Sequence, residues 1–400
     1  MYKLRDYRGI ISDKVLYDIY QKARKLYGLR LLNINSTAQG GGVAEILNSL
    51  VPLLNEVGIH AGWRVLHGNP DFFTITKKMH NGAQGQFVRF SKNEQRMYTK
   101  TNEAFSTYTH VNHDVIIIHD PQPLPLIQYY KKMQPWIWRC HIDISKPTNT
   151  VEMLKKYIIK YDQMIVSSKD YVIPDFPIDY NIIPPAIDPF TLKNKALPLQ
   201  AAVRYIEKYG IPTDKPFIAQ ISRFDKWKDP IGVLKVFELV KKHVDCRLVL
   251  CGSMAADDPE GITIYDQIKE IAKDWIARGD VILTTVESNM LVNSLQTAAA
   301  AVIQKSLKEG FGLTVTESLW KGRPVIASNV GGIPLQIEDG KSGFLADPTD
   351  IHEFASKVIA VLQNKKLAEK LGKAGQERVR EKFLMTRLLS DYLDLLIAVM

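Results

Sequence analysis

The run KEGFGLTVTESLWKGRPVIASNVGGIP, residues 308–334, sets two carboxylates, Glu309 and Glu317, eight positions apart around a Gly310-Phe311-Gly312 turn, and a third acid, Glu338, follows the later glycines. Either glutamate alone reads as a helix cap or half of a surface ion pair. A carboxylate on each side of a tight turn, where a helical segment begins, instead suits a polyhydroxylated ligand. The loop acid can accept hydrogen bonds from sugar hydroxyls, and the helix acid can take the paired hydroxyls of a ribose. Glycine lets the backbone approach such a ligand, and a helix N-terminus favours its phosphates.

Cations that would answer a phosphate lie in SRFDKWKDP, residues 222–230, directly after the apolar run FIAQI. Arg223 brings a planar, fixed charge and Lys228 a flexible one, a pair suited to a diphosphate whose charge grows as it leaves a sugar. Asp225 and Asp229 temper the loop, whose simpler reading is a solvated charged surface. NSTAQGGGVAEI, residues 35–46, opens a helix through Gly40, Gly41 and Gly42, and its bare backbone N–H groups can receive an anion or merely form a tight turn. It lacks the G-x-G-x-x-G spacing, so a dinucleotide site is not supported. HDPQP (119–123) and WRCHID (138–143) close two successive apolar strands with His119, Asp120, Arg139, His141 and Asp143. One histidine after a strand is usually structural, whereas two acid–histidine clusters at successive strand ends point to a site. Metal-ligating side chains are too dispersed for a structural centre, and no metal is expected.

These loops hang on short β-branched runs that alternate with longer segments of helical period, the pattern of an α/β fold with parallel sheets. Strands are predicted at Leu31–Asn35, Val115–His119, Trp136–His141, Met164–Ser167, Phe217–Ile221, Arg247–Cys251, Val281–Thr285, Ala301–Gln304 and Pro324–Ala327. Helices are predicted at Ala44–Val57, with a kink at Pro52, and at Ile231–Val244. At 400 residues the chain exceeds what one core usually organises. The Pro-dense stretch 181–200 separates two complete strand–helix series. Residues 1–190 and 191–380 are therefore expected as two domains, with an amphipathic helix at 381–400 packing back across their junction.

Composition fits an ordinary globular protein, 46% apolar and 24% charged. The excess of 52 basic over 43 acidic residues is spread along the chain without a basic arm, so nucleic acid is not an expected partner. Cys140, Cys246 and Cys251 show no paired spacing and read as buried free thiols. No apolar leader and no apolar run of the ~18 residues a bilayer needs are present, so a cytoplasmic protein with no membrane partner is expected.

The Glu309-to-Glu317 spacing with its GFG turn, the later VGGIP and the SRFD-WK cations resemble the retaining GT-B glycosyltransferases of family GT4. More closely, STAQGGGVAEILNSLVPLL, HDPQP, WRCHID, CGSMAADDPEG and QKSLKEGFGLTVTESLWKGRPV resemble the glycosyltransferring trehalose synthases, over essentially the whole chain. The resemblance implies a GT-B architecture, two Rossmann-like domains facing each other across a cleft, the N-terminal one on the acceptor side and the C-terminal one binding the nucleotide sugar. It implies a hexosyltransferase that joins NDP-glucose, in its UDP, ADP or GDP form, to free glucose and yields α,α-trehalose and NDP.

Carried over, Glu317 would bind the donor ribose, while Glu309 and the N–H groups of Gly310, Phe311 and Gly312 would hold the donor glucose. Arg223 and Lys228 would neutralise the departing diphosphate, and Gly41 and Gly42 would lie against phosphates and reacting sugars. His141 would contact the donor sugar near its 6-hydroxyl, and Asp120 would meet the acceptor. Front-face substitution with retention needs positioning and charge stabilisation rather than a nucleophile. It implies no required cofactor, though Mg2+ stimulation and a homodimer are compatible with it. LQTAAAAVIQ (295–304) lacks a polar run expected of close relatives, a departure that bears on packing beneath the donor loop, and VESNMLVNSL (286–295) looks short, which leaves the base open; neither departure alters the cations or glutamates themselves. A phosphosugar or phosphate acceptor, the latter running trehalose phosphorolysis, would use the same donor site. A non-catalytic nucleotide-sugar sensor is the reading from another class.

Overall fold

The computed structural model describes residues 3–39, 41–146, 148–173, 176–252 and 259–400. Gly40 and the centre of CGSMAADDPEG lie outside these residues. The chain forms two compact units, one of Met1–Ala186 with Met385–Met400 and one of Ile187–Leu384. Each holds a six-stranded, wholly parallel sheet.

In the first unit the strands are β1 (Arg30–Asn35), β2 (His60–Val65), β3 (Val115–His119), β4 (Trp136–Arg139), β5 (Gln163–Val166) and β6 (Asp179–Ile182), in the order β2-β1-β3-β4-β5-β6. In the second they are β7 (Phe217–Ile221), β8 (Arg247–Cys251), β9 (Val281–Thr284), β10 (Ala301–Gln304), β11 (Val325–Ser328) and β12 (Phe344–Ala346), in the order β12-β11-β10-β7-β8-β9. β3, β4, β7, β10 and β11 are buried along their whole length, as strands covered on both faces must be. Three strands escape the sequence reading: β2, β6 and β12. All are edge strands with partly exposed residues, so none carries the continuous apolar run that marks a central strand. The three cysteines are free and buried.

Sheet order locates the reactive loops. In each unit the chain works outward from a first strand and then returns to its other side, so the order reverses between β1 and β3 and again between β7 and β10. A crevice opens at the carboxyl ends of such a strand pair because the helices that follow leave in opposite directions. Most of the loops singled out by chemistry leave these four strands, and WRCHID leaves β4, the neighbour of β3.

The helix predicted over 381–400 is divided. Lys365–Lys382 ends one helix, Phe383 and Leu384 intervene, and Met385–Val399 begins another. Ile187 N–H donates to the Phe383 carbonyl at 2.9 Å, closing the second unit where the chain leaves it. The last helix then packs on Asp13–Arg24 and Gly42–Glu56 in the first unit. Leu388, Leu389, Tyr392, Leu393, Leu395 and Leu396 are buried there. Lys22 Nζ reaches Asp394 at 2.7 Å and Ser390 at 2.8 Å, and Arg387 donates to the Pro184 and Pro185 carbonyls at 2.7 and 2.9 Å. Leu389→Ala should therefore destabilise the first unit by about 2–5 kcal/mol. The check is its denaturant midpoint, and an unchanged midpoint would show that the returning helix adds no stability.

Candidate functional site at the sheet switch points

In the second unit the loop after β7 is shaped by its own acids. Asp225 Oδ1 accepts from the N–H of Trp227 at 2.9 Å and of Lys228 at 3.0 Å, bending 226–228 into a single 3-10 turn. Asp229 follows at φ 45°, a left-handed conformation that a non-glycine residue adopts only at some cost. Its Oδ1 caps the helix Pro230–Lys241 through Gly232 N–H at 3.0 Å, and its other oxygen pairs with the buried Lys305. Lys228 Nζ then lies 2.5 Å from Glu309 Oε2, in the loop after β10. Ser306 Oγ, at 3.2 Å, and Gln304 Nε2, at 3.3 Å, donate to the same oxygen. Arg223 is more open, with its side chain 49% exposed and 3.6 Å from Asp225.

Glu317 sits on the helix Leu313–Trp320 with its own partners. Its Oε2 accepts from Gln296 Nε2 at 2.9 Å, and Lys193 Nζ is 3.5 Å from Oε1. Burial lowers the amine of neighbouring Lys321 to about 7, with the Glu317 carboxylate acting against that shift. Between the glutamates, Gly312 takes φ 82° ahead of the helix. The VGGIP glycines matter through close approach: a Cβ on Gly332 would fall 2.7 Å from the Gly310 carbonyl oxygen. Gln336 ties this turn down from behind, donating to the Phe311 carbonyl and accepting from Thr316. Glu338 stands apart, paired with Lys341 at the surface.

In the first unit His119 ends β3 and His141 follows β4, with their rings stacked at 5.4 Å. Asn33 donates its amide to the Gly62 carbonyl at 3.4 Å, so its Oδ1 accepts from His119 Nε2–H at 3.0 Å. This assigns His119 Nδ1 as acceptor for His141 Nε2–H at 3.1 Å. Burial, aided by the Arg139 charge, pushes His119 down to about 3 and His141 well below the usual imidazole range. Asp120 takes φ 62°, and its Oδ1 accepts from the His141 N–H at 2.9 Å. Burial raises its carboxyl to about 6 against the opposing pull of that N–H and of Arg139. Gly41, at φ 85°, precedes the helix Gly42–Glu56, which starts after β1. The selected residues thus form two groups: Arg223, Lys228, Glu309, Gly310, Phe311, Gly312 and Glu317 on the second unit, and Gly41, Gly42, Asp120 and His141 on the first.

Residues 33–173 match the family model described as trehalose synthase, N-terminal domain, and residues 203–378 match glycosyl transferases group 1. A trehalose synthase of Pyrococcus horikoshii is 40% identical over 98% of this chain and 96% of its own length. The chain belongs to the trehalose synthase family of glycosyltransferases. A trehalose phosphorylase of Pleurotus pulmonarius is a more distant relative, 28% identical over 87% of this chain and 54% of its own length. The fold is GT-B: a UDP-forming α,α-trehalose-phosphate synthase from Burkholderia xenovorans, in complex with glucose 6-phosphate, superposes with a TM-score of 0.75 at 13% identity, covering 93% of this chain and all of that one. The chain is accordingly a hexosyltransferase of trehalose-related glycosyl transfer.

The segment LQTAAAAVIQ lies against the site of this trehalose synthase family member, because its two glutamines, Gln296 and Gln304, bond directly to Glu317 and Glu309. Sequence reasoning also passed over Ser306, Asn33 and Gln220. The available signal was a polar residue inside an otherwise apolar strand or helix face, as at Asn33 and Gln220. Among the described residues no cluster of three His, Cys, Asp or Glu could hold a metal, and no helix is long and apolar enough to cross a membrane.

The His119–His141–Asp120 cluster makes folding pH-dependent. Both imidazoles stay neutral in the folded chain and gain protons on unfolding, so their contribution is lost as pH falls below about 6.5. Asp120, with its pKa raised, acts oppositely: its contribution is present at low pH and is lost as pH rises toward 6. Two imidazoles against one carboxyl make stability rise with pH through the range between the free carboxyl and free imidazole pKa values. His119→Gln removes one imidazole and should flatten that part of the slope in denaturant titrations. An identical slope in the variant would contradict the buried neutral imidazole.

Proposed function

We propose that the chain is a retaining glucosyltransferase that makes α,α-trehalose from an NDP-glucose and free glucose, releasing NDP. The bond from glucose C1 to the β-phosphate oxygen breaks as the acceptor's anomeric hydroxyl attacks the same face. The acceptor proton passes to the departing phosphate. Glu309 and the Gly310–Gly312 backbone hold the donor glucose, and Glu317 takes the ribose hydroxyls. Arg223 and Lys228 stabilise the charge that grows on the diphosphate. On the first unit, His141 serves the donor sugar, Asp120 the acceptor hydroxyl, and Gly41 with Gly42 the phosphates. The observation that carries the reading is Lys228 held against Glu309 with Arg223 on the same loop, at the carboxyl ends of β7 and β10. Two cations of one loop lie there beside the carboxylate we assign to the sugar, and the kinship with trehalose synthases supports the reaction class.

A second reading rests on the similarity to a trehalose phosphorylase: phosphate would take one glucosyl group of trehalose as the glycosidic bond breaks, giving glucose 1-phosphate and free glucose. Testing UDP-, ADP- and GDP-glucose, each with glucose, glucose 6-phosphate, fructose 6-phosphate or no acceptor, separates these. Glucose-dependent NDP release with a non-reducing disaccharide is expected. Release only with a phosphosugar would overturn the acceptor, and phosphate-dependent trehalose cleavage without NDP-dependent synthesis would favour phosphorolysis. Glu317→Ala should weaken NDP binding by tenfold or more, roughly the loss of one charge-assisted hydrogen-bond pair. Unchanged NDP affinity in that variant would refute the ribose assignment.

A further inference from the structure

Three buried glutamines share one arrangement. Gln220, on β7, donates Nε2 to the Lys228 carbonyl at 2.7 Å. Gln304, ending β10, donates to Glu309 Oε2 at 3.3 Å and to Ser306 Oγ at 3.0 Å. Gln296, on the helix Asn289–Ala298, donates to Glu317 Oε2 at 2.9 Å. Each is at most 2% exposed. In each the amide oxygen is buried and meets no hydrogen-bond partner among the described residues.

Leaving a buried amide oxygen bare costs about 1–3 kcal/mol. An apolar side chain of the same volume would remove that cost, but only by withdrawing the donor that each amide supplies to the site. Gln336 shows the contrast: its amide holds the Phe311 carbonyl and its oxygen accepts from Thr316, so both ends are used. Native structures keep few orphaned buried groups, and those they keep call for another reason than stability.

We infer that Gln220, Gln304 and Gln296 are positioning residues of the donor site, each aiming one ligand-binding element. Gln220 fixes the main chain that carries the Lys228 cation. Gln304 fixes the carboxylate for the donor sugar, and Gln296 fixes the carboxylate for the ribose. An ionised carboxylate accepts hydrogen bonds over a wide range of directions. A donor anchored in the core fixes the direction in which the carboxylate points before the ligand arrives. The inference rests on the donor-site reading above and extends it to residues that touch no substrate.

Gln296 and Gln304 bond to different glutamates, so their losses are separable. Gln296→Met and Gln304→Met keep the volume and remove the amide. NDP affinity by calorimetry and kcat at saturating NDP-glucose read them apart. Q296M should weaken NDP by about tenfold or more with kcat within about threefold; Q304M should lower kcat by about tenfold or more with NDP affinity within about twofold, since a misplacement of ~1 Å can cost ~100-fold. Thermal midpoints should change little, because losing the bare oxygen with the amide offsets losing the donor to the buried carboxylate. Parallel loss of affinity, kcat and thermal midpoint would mean a merely structural role, and unchanged constants would mean no role; either overturns the inference. If the wild-type enzyme bound no NDP, the donor-site reading would fall first and the inference with it.

Discussion

The contact on which the donor-side geometry depends is the ion pair of Lys228 with Glu309, two side chains delivered by different loops and largely shielded from water. Burying such a pair is unfavourable unless its geometry is good and its other hydrogen-bonding capacity is met. That requirement explains much of what surrounds it. Ser306 and Gln304 converge on the same carboxylate oxygen, Asp225 bends the chain so that Lys228 arrives, and Asp229 accepts a left-handed backbone to start the next helix. In the reaction proposed above, a charge held in this way would need no reorganisation when the diphosphate begins to leave.

The first unit solves a similar problem with neutral groups. Asn33, His119 and His141 form a chain of single, directed hydrogen bonds in which burial keeps both imidazoles uncharged. Their tautomers are fixed from the Gly62 carbonyl outward, leaving His141 Nδ1 as an acceptor. Asp120, the other non-glycine residue with positive φ among those described, is locked to the His141 backbone rather than to its ring. Strain at Asp120 and Asp229 thus falls on the two loops where chemistry is proposed, as expected where local preference is overridden for positioning.

How far this could be read from residues alone follows the same physics. Central strands were legible because a strand covered on both faces must be apolar throughout. The edges β2, β6 and β12 were not, since half-exposed strands carry no such run. The two cations and two glutamates stood out by spacing and by their place after strands. Their supports did not, because Gln220, Gln296 and Gln304 each look like one polar residue in an apolar element until the structure shows what each touches. The break at Phe383–Leu384 was also hidden, because both residues continue an apolar helical pattern; what interrupts it is the tertiary bond from Ile187.

A double-mutant cycle across the central ion pair tests this account most directly. Turnover of NDP-glucose would be measured for Lys228→Met, Glu309→Gln and the double variant. If the two side chains act as one unit, the double variant is about as impaired as the worse single variant. Losses that simply multiply would show that Lys228 and Glu309 work independently and would contradict the pair as the organising contact.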